Sequence, residues 1–194
     1  NRITVTRPLD RFRPEDALKA FERACNTDKL TSQEAKDAAQ TVKDRIGALK
    51  DFQDWIVEQA AAGTLSAYGI SAADAKGVTI HGTTLTWEDF ATKNAGQMAA
   101  GRLIHGSLAD EAGARAAGLD RPSERAEKAL GAYLFLNRYC GDLLGRSAFL
   151  RNTSEALRAA VLAVPIEAKK LERIEPSAAA MEGEGEAEEA ETAE

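Results

Sequence analysis

The chain has 194 residues, 44% of them hydrophobic and 29% charged, enough for one folded body with a sizeable core. Its net charge of −6 is uneven: from residue 177 onward there are seven Glu and no Lys or Arg, and subtracting them leaves the rest near +1. A balanced body with 6% aromatic residues argues against bulk nucleic-acid binding and against a base-stacking platform, and no apolar run approaches the ~18 residues of a membrane span.

About a fifth of the chain is alanine, which loses no side-chain entropy in a helix, so a mainly α fold is expected. In residues 2–7, Ile3 and Val5 alternate with polar neighbours, the period of a short half-buried strand ended by Pro8. Arg2, Arg7, Arg11 and Arg13 crowd this end. They read as charge protecting an edge strand, or less favourably as a basic arm for phosphate or an acidic protein surface. Pro14, Glu15 and Asp16 start a helix whose apolar face is Ala17, Leu18, Phe21 and Cys25.

Thr31 and Glu34 form a capping-box pattern. Behind it Ala35, Ala38, Val42, Ile46, Leu49, Phe52, Ile56 and Ala60 step by three or four over about eight turns, with Trp55 beside them and Gly63 as the closing cap. The stretch 64–77 is broken, with a short helix over 71–76. Residues 78–86 then read as a β-hairpin bending at His81-Gly82-Thr83, covered by the N-terminal strand or by a helix. Thr86 caps a helix running through Phe90, Met98 and Leu103 to Ile104. The frequent glycines from Gly96 to Gly118 point to close helix approach, because no strand-P-loop-helix pattern accompanies them.

Residues 123–144 are apolar nearly all round. One row holds Ala126, Leu130, Tyr133, Leu134, Asn137, Cys140 and Leu144; a second holds Ala132, Phe135, Leu136, Tyr139 and Leu143. A helix of that kind is enclosed by its neighbours, so it is the expected centre, with Asn137 and Arg138 the polar exceptions that need partners. Asn152 and Glu155 resemble a second capping box, followed by a buried face of Leu157, Ala160, Val161 and Val164 and an amphipathic continuation from Pro165 to Pro176. The expected organisation is one helical domain over 1–176, a bundle of five or six helices with a small β-hairpin at 78–86, and a disordered acidic tail over 177–194.

Chemistry is faint. Of the two histidines, His81 falls at the hairpin tip and His105 at a helix end, and neither has ligand-spaced neighbours or an H-E-x-x-H pattern. Cys25 and Cys140 lie far apart in apolar helical contexts and read as small core residues, a usage that suits a reducing cytoplasm. The loop 26–34 fails as a calcium loop: Arg23 and Cys25 stand where early carboxylates belong, and Asp28 where glycine is needed. Carboxylate pairs such as Asp51/Asp54 read as solvated helix faces. No catalytic residue, cofactor site or metal site is assigned.

The expected function is therefore non-enzymatic: a helical protein-protein interaction or structural protein, such as a bacterial or phage-encoded effector or assembly component. It would have a protein partner or associate with itself, and would work in the cytoplasm or as an injected or virion-associated component. The rival is a small enzyme with a pocket near the hairpin and central helix, using His81, His105 or Tyr139. A nucleic-acid-associated protein acting through its N-terminal arginines ranks third.

Overall fold

A computed structural model describes residues 2–109 and 122–163, all within one unit spanning Asn1–Val164. The described residues form eight α-helices and one small antiparallel sheet. The expected tail, the continuation beyond Pro165 and the boundary at 176 lie outside them.

The N-terminal strand is not formed. Residues Arg2–Asp10 are a helix, α1, with Pro8 inside its last turns. Two alternating apolar residues are too short a pattern to fix a period, and the turn at Phe12 shapes this end of the chain instead. Phe12 has φ +49°, a rare conformation for a bulky side chain. The Arg13 N–H donates to the Pro8 carbonyl (2.8 Å) and the Phe12 N–H to the Leu9 carbonyl (3.0 Å), the paired bonds of a Schellman cap with phenylalanine where glycine is usual. The cap drops the Phe12 ring, fully buried, into the core. Helix α2, Pro14–Ala24, comes next with Pro14 at its first turn, as expected.

Helix α3 spans Gln33–Ala61, 29 residues and roughly 44 Å at ~1.5 Å per residue. Its cap is Ser32, whose Oγ accepts the Ala35 N–H at 3.1 Å, one residue later than the Thr31 box implied. Gly63 does close it, at φ +74°, with the Thr64 N–H returning to the Gln59 carbonyl. Burial divides the helix. From Ile46 onward Ala48, Leu49, Phe52, Trp55, Ile56 and Ala60 are buried, whereas before it only Ala39 is. Ala38 and Val42, expected inside, are exposed.

The sheet has three strands in the order β1-β2-β3: Ile70–Ala73, Gly77–Ile80 and Thr83–Thr86. The last two make the expected hairpin, but its loop is only His81-Gly82, since Ile80 already pairs with Thr83. Both loop residues have positive φ (48° and 80°), as a two-residue type I′ connection requires. The third strand is β1, where a short helix was expected, rather than the N-terminus. Asp74 turns β1 into β2, its Oδ1 accepting the Lys76 and Gly77 N–H groups, and the Trp87 indole N–H donates to the Asp74 carbonyl at 2.9 Å.

The expected helix from Thr86 to Ile104 is broken in two. Thr86 caps α4, Trp87–Thr92, through the Asp89 N–H; Lys93 is extended; α5, Asn94–Leu103, then runs into a π-helical turn, Ile104–Ala109. No proline signals the break. Its cause is packing: a Cβ on Gly96 would stand 2.4 Å from the Phe90 carbonyl oxygen, so the bare glycine lets α5 fold back on α4.

The central helix, α6, spans Pro122–Tyr139, and α7, Gly141–Arg146, comes after a break at Cys140. One side chain serves both breaks. The Gln97 Nε2 group donates to the Ala91 carbonyl at 2.8 Å and to the Tyr139 carbonyl at 2.5 Å, two acceptors near interrupted helix ends. The central position holds: α3 and α8 (Ala148–Ala163) are its main neighbours. A Cβ on Gly131 would fall 2.1 Å from the Ala48 carbonyl oxygen, so α6 crosses α3 in backbone contact. Enclosure is one-sided, however. Ala129, Ala132, Phe135, Leu136 and Cys140 are buried, while Asn137 and Arg138 are exposed. Phe135 is the hub, with the rings of Phe12, Tyr139, Phe52 and Phe90 at 4.8, 5.1, 5.4 and 5.6 Å. Helix α8 starts before the Asn152 box, with the Ser147 Oγ accepting the Leu150 N–H, so Asn152 and Glu155 sit inside it.

Candidate functional site

Two places combine side-chain chemistry with access. The first is a shallow groove of about 390 Å³ between the hairpin and α5, lined among others by Tyr68, His81, Leu85, Met98, Ala99 and Arg102. Its polar aromatic groups are seated by glycines. A Cβ on Gly69 would come within 2.3–2.9 Å of three His81 ring atoms, and one on Gly106 within 2.3–2.8 Å of the Tyr68 ring. The His81 N–H also donates to the Gly69 carbonyl at 2.9 Å, tying the hairpin tip to the segment that carries Tyr68. The groove lies between the hairpin and α5, and the central helix is not among the residues that line it.

His105 stands apart from this groove, in the π-helical turn. Its Nδ1 lies 2.7 Å from the Thr153 Oγ1, which itself donates to the Phe149 carbonyl at 2.9 Å. A hydroxyl has one hydrogen, so Thr153 accepts from His105, which places the imidazole proton on Nδ1. The ring rests on Phe149 at 4.2 Å. This is a tie between the turn and α8.

Tyr139 ends α6. Its hydroxyl donates to the Leu9 carbonyl, its ring packs on Phe12 at 5.3 Å, and the neighbouring Arg138 pairs with Asp10, so the end of α6 holds α1 in place. Burial pushes the phenol up to about 12, with the Arg138 charge opposing it. The partners of His81, His105 and Tyr139 do not overlap, and the three belong to three separate surroundings.

Cys140 is buried with its thiol pushed up to about 12 by desolvation, and both it and half-buried Cys25 are free thiols. A buried neutral thiol is a poor nucleophile. Of the N-terminal arginines, Arg13 pairs with Asp16 and Arg11 approaches Glu88 at 3.9 Å, so two of the four charges are shared with carboxylates. Among the described residues no group of three His, Cys, Asp or Glu can hold a metal ion, and no helix is long and apolar enough to cross a membrane. The Asn26 Oδ1 accepts the Asp28 N–H, an Asx turn in the loop that fails as a calcium loop.

The second place is the first half of α3. With α2 it forms a helical pair in which Lys43 meets Glu22 at 3.2 Å and Ala39 is covered. Ala38 and Val42 of the stripe are exposed here, Val42 at 42%, and Ala35 is half-buried. Comparison with protein families, curated proteins and solved structures gives no match for this chain.

The sequence alone points to the apolar stripe, His81 and Tyr139. It gives no sign of Gln97, Arg102 or Tyr68, whose roles come from glycines and helix breaks that bring distant segments together. The one signal available is the density of glycine around them.

Proposed function

We propose that the chain is a non-enzymatic interaction module whose partner helix lies along the exposed half of α3. One observation carries this reading: the apolar stripe continues past the core, so that Ala38 and Val42 are exposed, with half-buried Ala35 one turn before them. A partner helix, from another protein or a second copy, would extend the i, i+3, i+7 contacts already made by the rest of the stripe. The neighbouring charges, Lys36, Asp37 and Arg45, would set orientation at its rim.

The test is a photo-crosslinking side chain placed at Val42 in the full chain, in cells, with the same group at exposed Asn94 as control. A discrete adduct at Val42, absent at Asn94 and lost when Ala38→Asp is added, is the expected result. Equal labelling at both positions, or none at either, overturns the reading.

The groove favours a second reading, a small enzyme using His81. Turnover of chromogenic ester, phosphoester or glycoside substrates, lost in His81→Ala and kept in Val42→Asp, would put it first.

A further inference from the structure

We infer that the groove between the hairpin and α5 is a binding site for a small organic anion, a molecule with a flat or linear apolar body and one carboxylate or sulfonate head. The inference is independent of the interaction reading, since none of Ala35, Ala38 and Val42 lines the groove.

Three observations meet here. The first is charge. Arg102 is exposed at the groove and makes no ion pair with any described residue. A guanidinium with five donors, unshared among the described residues, is suited to a planar anionic head.

The second is surface. Ile80, Leu85, Ala95, Met98 and Ala99 supply an apolar floor, and methionine adapts to ligands of differing shape. At about 390 Å³ the volume suits a ligand of ten to fifteen non-hydrogen atoms, near the lower end of ordinary small-molecule sites, roughly 300–1,000 Å³.

The third is construction. His81 is one of only two non-glycine residues with positive φ among the described residues, and the other, Phe12, is accounted for by its cap and by burial. At this turn position Asn, Asp or Gly would serve the hairpin with less strain. His81 instead holds its ring on bare Gly69, next in sequence to Tyr68, whose own ring rests on bare Gly106. Two polar aromatic side chains are thereby held at the groove wall by residues at which a methyl group would push the ring aside. They line the same groove as Arg102, which would take the head, while the floor takes the body.

The experiment uses 4-phenylbutyrate as the anionic probe and 4-phenylbutanol as its uncharged counterpart, added to the ¹⁵N-labelled full chain. Amide shifts should be confined to residues around Tyr68, His81, Leu85, Met98 and Arg102 and should saturate with 4-phenylbutyrate. The alcohol should bind about tenfold more weakly, as should 4-phenylbutyrate to Arg102→Gln, with Arg102→Lys between (tenfold is ~1.4 kcal/mol). Met98→Trp, which fills the floor and leaves the wall alone, should abolish the shifts while an unchanged amide spectrum elsewhere shows that the chain is folded. Equal binding of acid and alcohol, shifts spread over the surface, or no saturation overturns the inference. Loss of the Val42 crosslink would leave it standing.

Discussion

Helix α3 holds two environments in one element. Its second half, from Ile46 to Ala60, faces Phe135 and the close crossing at Gly131, and every stripe residue there is buried. Its first half repeats the same three-and-four spacing, yet leaves Ala38 and Val42 in solvent. Apolar periodicity states which face a helix would bury. It does not state that anything is there to cover it. The difference between the halves is made by other parts of the chain: α6 packs on the second half, where Gly131 meets Ala48 and Phe52.

The sharpest way to break this comparison is to truncate a stripe residue in each half. Phe52 is fully buried against Trp55 at 6.2 Å and Phe135 at 5.4 Å, so Phe52→Ala should cost ~3–5 kcal/mol in denaturant unfolding. Val42→Ala, in the same stripe, should change stability by less than about 0.5 kcal/mol. A comparable loss at both positions would mean that the halves share one environment after all.

How far the sequence can be read obeys the same division between local and distant causes. Gly63, Thr86 and Pro14 announce their places because their chemistry is local: a left-handed cap, an acceptor for a free N–H, a fixed φ. The same Schellman geometry at Phe12 is unreadable, since phenylalanine gives no sign of positive φ. It is held there by the burial of its ring among Trp87, Phe135 and Tyr139, residues at least seventy-five positions away. The break at Lys93 is hidden for a like reason. It depends on Gly96 meeting Phe90 and on Gln97 reaching the Tyr139 carbonyl. The central helix is legible, but not its exposed side: Asn137 satisfies itself on the Tyr133 carbonyl at 2.8 Å and Arg138 on Asp10, so neither needs the core. Of the candidate site, His81 is visible as a lone hairpin histidine. Arg102 and Tyr68 are not, because only the fold brings them to it.

Alkaline titration tests the covered end specifically. Burial raises the Tyr139 phenol from its ordinary 10.0 and the Cys140 thiol from 9.0, both to about 12. Folding therefore favours their neutral forms. The stability they contribute is whole below pH 9, begins to fall as the unfolded-state thiol and then phenol ionise, and is gone as pH rises through about 12. Unfolding free energy measured from pH 8 to 12 should decline across that window. Cys140→Ala should flatten the early part of the decline and Tyr139→Phe the later part, at a cost of ~1 kcal/mol near pH 8 for the lost bond to Leu9. An unaltered slope in both variants would place the titration elsewhere.

The smallest effect belongs to the uncovered end, and it distinguishes a helix with two environments from one with two stabilities. Ser32 satisfies the Ala35 N–H at the start of α3, and Ser32→Ala should cost ~1 kcal/mol of helix stability. Where a helix is packed along its length, such a loss is shared by the whole cooperative unit. Here the first three turns have Ala39 as their only buried residue, so the loss should stay local, as fraying. Amide hydrogen exchange should quicken about fivefold over residues 36–41 and stay unchanged over 46–60. Faster exchange over both segments by the same factor would mean that α3 opens as one unit. Val42 would then be exposed on a rigid rod rather than on a half-helix free to adjust to the proposed partner.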